Sequence, residues 1–221
     1  MHDVPDLPEP GPGVREEIVS LPGGRDLRML RPVEVEVDAL LDDEQAFEDD
    51  EFIAYWADLW PSARALAAAL APRALRGRRV LELGCGLGLP SVVAALAGGR
   101  VLATDWAGDA LGYATANAAR NGAAVETLRC SWAAPAGMVE RGPFDLVLAA
   151  DVLYERRDVE PLLAALDVLV APLGEAWIAD PGREPAAEFL AQLVQGGAWW
   201  HTSTPDPGLP RGAVHHVSRV G

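Results

Sequence analysis

The sequence predicts an α/β fold: a mostly parallel sheet with helices on both faces. Two observations predict it. From residue 79 onward, short apolar runs alternate with helical segments, the pattern of repeated β–α–β units. The first of these runs, Val80-Leu81-Glu82-Leu83, enters the turn Gly84-Cys85-Gly86-Leu87-Gly88, and a helix follows. In open α/β sheets such a turn sits where ligands bind.

The elements follow in order. Residues 1–14 are rich in Pro, Gly and Asp and read as a tail. Residues 15–36 alternate around Pro22-Gly23-Gly24 and read as an N-terminal β-hairpin extension. Two acidic runs come next, Asp42-Asp43-Glu44 and Glu48-Asp49-Asp50-Glu51. They are either a solvated loop or a rim that attracts a basic substrate. Pro61 opens an Ala-rich helix, since proline suits a first helical position. The alternation then gives strand 79–84, helix 90–96, strand 100–104 and helix 108–121, which Asn121-Gly122 stops. Strands follow at 125–131 and 144–149, a helix at 158–171, a strand at 175–179 and a helix at 184–195. Strands at 198–203 and 213–220, joined by a Pro/Gly-rich link, read as a C-terminal antiparallel hairpin. The chain divides into an N-terminal segment, 1–50, and a main domain, 51–221.

Composition excludes several classes. A formal charge of −15 disfavours binding to a nucleic-acid backbone and favours a cationic partner. No apolar run approaches a membrane span, and the first residues lack the pattern of a secretory signal. Cys85 and Cys130 stand far apart, outside any metal-binding spacing, and Cys85 reads as a small packing residue. The expectation is a cytoplasmic monomer that binds no metal, membrane or nucleic acid. His215-His216 falls in a strand, where neighbours point to opposite faces, and makes a poor metal pair.

The glycine turn carries the chemistry. Gly84, Gly86 and Gly88 leave no Cβ in the way of a ligand, and Asp105 closes the next strand, roughly 20 residues on, where a ribose diol is held. A nicotinamide site wants its third glycine one position later, and residue 89 is Leu. A P-loop needs a lysine, and the chain contains none. Glu82, ahead of the glycines, suits a ligand without a pyrophosphate. S-adenosylmethionine (AdoMet) is such a ligand, and its cationic sulfonium and amino group favour a nearby carboxylate.

From about residue 51 to 200 the chain resembles the class I, seven-strand AdoMet-dependent methyltransferases. Within them it resembles the protein-lysine and nicotinamide-methyltransferase-like group, of the electron-transfer-flavoprotein β-subunit lysine methyltransferase type. The residues that carry this are Tyr55-Trp56-Ala57-Asp58-Leu59-Trp60-Pro61-Ser62, Leu81 to Gly88, Cys130-Ser131-Trp132, and Asp151-Val152-Leu153-Tyr154. The glycine turn alone says only class I. The Asp-x-x-Tyr after the fourth strand, with Trp-Pro ahead of the first, is more restrictive. The resemblance implies a Rossmann-like seven-stranded sheet whose last pair is a hairpin. It implies AdoMet contacts from the turn, including Cys85, a ribose contact from Asp105, flanking Trp106, an adenine contact near Trp132 and a methionine-side contact around Trp60. Asp151 and Tyr154 then line the place where methyl donor and acceptor meet.

The implied activity is N-methylation of a protein lysine. Rivals are a small amine or heteroaromatic nitrogen as acceptor, and a non-catalytic AdoMet-binding module. A lysine amine has a pKa near 10.4, so it must shed a proton before it can accept a methyl group. Asp151 reads as a group that orients the ammonium, with its role as a base left open, and Tyr154 as one that contacts it by hydroxyl or ring face. Trp56 and Trp60, four apart, share a face if that segment is helical; they read as a pocket wall, with a core stripe as the alternative. Asp145, at a strand's amino end, reads as structural. Asp180 and Arg183 either shape the pocket or cap the next helix.

Overall fold

A computed structural model describes residues 8, 9, 11, 13–33 and 55–220. The acidic runs between 42 and 51 lie outside the described residues.

The chain begins with a hairpin, β1 (Val14–Leu21) and β2 (Arg25–Pro32), paired antiparallel from Val14↔Pro32 to Leu21↔Arg25. Helix α1 (Pro61–Leu70) follows, then β3 (Arg79–Leu83), α2 (Leu89–Leu96), β4 (Arg100–Asp105), α3 (Gly108–Arg120) and β5 (Val125–Arg129). The second half holds the short α4 (Ala136–Val139), β6 (Phe144–Ala150), α5 (Val159–Leu169), β7 (Val170–Asp180), α6 (Glu184–Gln195), β8 (Trp199–Thr204) and β9 (Ala213–Arg219). The sequence pattern misses α4, whose single turn is too short to show a period.

The main sheet has seven strands in the order β5-β4-β3-β6-β7-β9-β8. Strands β3 to β7 are parallel, and β9 runs antiparallel to both β7 and β8. From β3 the chain steps outward to β4 and β5, then returns to place β6 on the other side of β3. That reversal opens a crevice at the carboxyl ends of β3 and β6, which is where open α/β sheets bind ligands.

Helices cover both faces because the strand residues alternate between two cores. Val80, Leu146 and Leu148 join Leu66, Leu70, Val92 and the hairpin's Leu27 and Met29 on one side. Leu81, Leu83 and Val147 join Leu162, Leu166 and Phe189 on the other. β7 starts at Val170, ahead of the expected 175, because the pairing with β6 jumps from Phe144↔Val170 to Leu146↔Glu175. The bulged residues include Pro172 and Gly174, which hide the strand's start from a sequence reading.

The hairpin is tied to α3 by two asparagine side chains. Asn121 Oδ1 accepts from the Arg28 N–H at 2.9 Å, and its Nδ2 donates to the Arg28 carbonyl at 2.9 Å. Asn117 makes the same two-way contact with Leu30. Arg120 and Arg28 both pair with Glu16, and Arg64 and Arg31 both pair with Glu17.

Candidate active site

The crevice encloses about 330 Å³, a size suited to a small molecule. Its lining includes Trp60, Glu82, Gly84, Cys85, Gly86, Gly88, Asp105, Trp106, Trp132, Asp151 and Tyr154. Residues from five separate stretches of sequence therefore meet in one cavity.

β3 delivers Glu82 and the glycine turn. Glu82 is buried, and its Oε2 accepts from the Ser91 N–H at 2.9 Å and from the Ser91 hydroxyl. Burial pushes its pKa up to about 8, against the Ser91 hydrogen bonds. Gly86 and Gly88 have φ of 49° and 79°. A Cβ on Gly88 would lie 2.8 Å from the Ala114 Cβ on α3, and one on Gly86 would lie 3.1 Å from the Trp56 carbonyl oxygen. The missing Cβ atoms thus let protein neighbours close around the turn, where the sequence reading assigned them to ligand approach. Cys85 is buried in the turn, and burial, with the nearby Glu82 and Asp105 charges, raises its thiol pKa well above the usual value. A buried thiol held protonated in this way is a poor nucleophile.

β4 ends at Asp105, which is buried and holds the turn in place. Its Oδ2 accepts from the Gly86 N–H at 2.9 Å and its Oδ1 from the Ala107 N–H at 2.9 Å. Burial raises its pKa, partly offset by these bonds. Each oxygen keeps a further lone pair for a ligand hydroxyl. Trp106 is exposed beside it, and Trp132 packs against Gly84 from the loop after β5.

The opposite wall comes from two elements. Tyr55–Ala57 form a 3₁₀ turn, and Trp60 precedes α1 with an extended ψ of 148°. Trp56 and Trp60 therefore do not share a helix, because the α-helix starts only at Pro61, yet both line the crevice. The Trp60 indole Nε1 donates to the Tyr55 carbonyl at 2.6 Å, and the Trp56 and Tyr113 rings lie 5.5 Å apart. The Tyr55 ring centroid lies 6.4 Å from that of Trp60 and 5.8 Å from that of Tyr154.

Asp151 follows β6 with a φ of 62°, unusual for a residue with a Cβ, and its N–H donates to the Ala179 carbonyl at 2.9 Å. Its Oδ2 accepts from the Ser62 hydroxyl at 3.2 Å, and its Oδ1 forms an ion pair with the Arg183 guanidinium. Burial lowers the Arg183 pKa from its usual value. Arg183 lines the crevice, whereas Asp180 does not. Asp180 is buried, and its Oδ1 accepts from the Gly182 and Arg183 N–H groups at 2.7 Å each. The pair left open by the sequence thus splits: Asp180 builds the turn into α6, and Arg183 reaches the site.

Asp145 accepts from the Arg79 N–H at 2.8 Å and ties β6 to β3, a structural role. His215 and His216 face different neighbours: His215 meets His201 at 3.1 Å, and His216 lies edge-on to Trp177. Tyr55 and Ser62 are site residues for which sequence reasoning assigned no role. Both lie in the Tyr-Trp…Trp-Pro-Ser run, but nothing in that run reveals that Ser62 reaches a carboxylate after β6.

The strand order, the glycine turn and the crevice define a class I AdoMet-dependent methyltransferase. More narrowly, residues 45–194 match the family described as lysine methyltransferase, and the chain belongs to it. It is 38% identical over 100 residues to protein N-lysine methyltransferase METTL21A of Danio rerio, covering 43% of this chain and 45% of that protein. It is 30% identical over 152 residues to the electron transfer flavoprotein β subunit lysine methyltransferase of Xenopus laevis, covering 64% and 60%. The chain spans about half the length of the curated relatives it matches. Among solved structures, the fold is similar to a Thermus thermophilus 16S rRNA N2 G1207 methyltransferase in complex with AdoMet and guanosine. That match has a TM-score of 0.64 at 17% identity and covers 96% of this chain and 52% of the other.

Proposed function

We propose that this chain transfers a methyl group from AdoMet to a lysine side chain of another protein. The observation that carries the reading is that Asp151 and Tyr154 line the same crevice as the glycine turn and Asp105. Donor and acceptor groups can therefore meet there.

The residues present fit AdoMet. Asp105 would hold the ribose diol with its remaining lone pairs. Trp132 and Trp106 offer aromatic surface to the adenine. Glu82 and Trp60 would flank the methionine end, and a cation entering there favours the ionised form of Glu82. When bound, the group supplies an electrophilic methyl on a positively charged sulfur. The chain's own residues align, desolvate and orient the acceptor, which is where most of the acceleration in such a displacement arises. The tilted rings of Tyr55, Trp60 and Tyr154 offer faces to an amine or its methylated products.

The acceptor lies on another molecule, because the chain contains no lysine. The charge of −15 favours a protein with an exposed basic segment over a nucleic acid. Among the described residues no helix is long and apolar enough to cross a membrane. Both cysteines are free, which suits a reducing compartment, and we place the enzyme in the cytoplasm as a monomer.

The test is incubation of lysate protein with isotopically labelled AdoMet and this chain, followed by mass spectrometry. Methyl-lysine on a discrete protein is the expected result. Label found only on small molecules would favour the small-amine reading, and no label anywhere, despite AdoMet binding, would favour a binding module.

A further inference from the structure

Among the described residues, the crevice has one cation in its lining, Arg183, and it is paired with the residue assigned to meet the acceptor. Both oxygens of Asp151 are engaged, Oδ1 by Arg183 and Oδ2 by the Ser62 hydroxyl. A carboxylate held this way offers little to an incoming ammonium. We propose that Arg183 is a positioning residue that neutralises Asp151, so that the crevice takes the acceptor as the free amine and not as the ammonium ion. This rests on the amine-acceptor reading above.

The physical argument concerns the proton on the acceptor nitrogen. A bare carboxylate stabilises an ammonium and raises its pKa by one to several units, which opposes methyl transfer. A guanidinium on that carboxylate cancels the effect, and the positive sulfur of the donor then works in the same direction as desolvation. The acceptor gives its proton to solvent before it enters. Its nitrogen lone pair forms the new bond to the methyl carbon as the carbon–sulfur bond breaks, and that electron pair stays on sulfur, which becomes a neutral thioether. No base on Asp151 is needed.

The other charged and titratable groups around the pair are accounted for. Asp58 pairs with Arg31, and Glu155 with Arg157. Asp105 is held by main-chain N–H groups, and Asp180 by those of Gly182 and Arg183. Glu82, which burial pushes up to about 8, lines the same crevice and titrates in the range of interest.

The test uses n-butylamine as a lysine side-chain probe, titrated into the full chain with S-adenosylhomocysteine present and followed by NMR between about pH 7 and pH 9.5. If the crevice takes the free amine, apparent affinity rises roughly tenfold per pH unit below the amine pKa of about 10.4. Arg183→Gln exposes Asp151, so its affinity should be flat over that range and roughly tenfold tighter at pH 7. Arg183→Lys keeps a cation and should keep the wild-type slope.

A flat wild-type profile overturns the proposal, as does a wild type that takes up no amine at high pH. So does an Arg183→Gln profile that still rises with pH. The wild-type slope requires no variant and stands if Arg183→Gln fails to fold. A wild type that labels protein lysine but shows a flat profile keeps the methyltransferase reading and rejects the role of Arg183. A rising profile with no label transferred to any acceptor does the reverse.

Discussion

Asn117 reaches Leu87: its side-chain Nδ2, on α3, donates to the Leu87 carbonyl inside the glycine turn at 2.9 Å. The same Nδ2 donates to the Leu30 carbonyl on β2 at 3.1 Å, and Oδ1 accepts from the Leu30 N–H. One fully buried amide thus couples the N-terminal hairpin to the loop that frames the cofactor crevice.

Replacing Asn117 with Ala strands these main-chain groups away from water. The expected cost is about 3 kcal/mol of stability, since each buried, unsatisfied polar group costs roughly 1–3 kcal/mol. Urea denaturation measures it. A change below about 0.5 kcal/mol would show that water or a local shift replaces the bonds.

Gly88→Ala puts a methyl group 2.8 Å from Ala114 at a φ of 79°. The expected loss is about 2 kcal/mol or more, from backbone strain and overpacking together. Ala114→Gly in the same chain should recover the packing part and leave the strain. A double-mutant cycle on stability separates the two, and strict additivity would refute the contact.

Asp151→Asn should leave the binding of S-adenosylhomocysteine within about threefold of wild type, because the residue is assigned to the acceptor side. Methyl transfer should fall by about tenfold or more, because the amide leaves the Arg183 cation uncompensated beside the positive sulfur of the donor. Calorimetry and the labelling assay read the two effects. Unchanged transfer would remove Asp151 from the reaction.

Glu82 sets a pH dependence of stability. Its folded pKa, about 8, lies above the unfolded carboxyl value of 4.5, so between those values the folded state holds a proton the unfolded state has lost. The contribution is fully present below about pH 4.5 and is lost as pH rises through about 8. Glu82→Gln should therefore match wild type in stability near pH 4 and exceed it at pH 9. Parallel stability–pH curves for the two proteins would reject the shift. AdoMet binding, which brings a cation to Glu82, should strengthen in wild type as pH rises from about 6 to 8, and the variant should flatten that rise.

The strand and helix positions were legible because their patterns differ: Val80, Leu81 and Leu83 form a short apolar run interrupted only by Glu82, while Pro61 to Leu70 is a run of strong helix formers. The crevice lining was legible in part for the same reason. Glu82, Gly84 to Gly88, Asp105 and Asp151 all lie at or just beyond strand carboxyl ends, and the parallel strands bring those ends to one edge. The four-residue spacing of Trp56 and Trp60 would put them on one face only in a helix, and the helix starts after both, at Pro61, as the proline signals. Ser62 and Arg183 could not be assigned because their roles depend on a partner distant in sequence.

The sequence by itself determined the α/β class, the order of elements, the glycine turn and the acidic residues at or next to the carboxyl ends of β3, β4 and β6. These are local properties, encoded in residue spacing and in which backbone angles a glycine permits. Only the tertiary structure decided what each charged group faces. Arg183 meets Asp151, Asp180 turns back on its own loop, and Asn117 ties the hairpin to the glycine turn. Electrostatic and hydrogen-bonding roles follow distance and burial in space, which packing sets and sequence separation does not reveal.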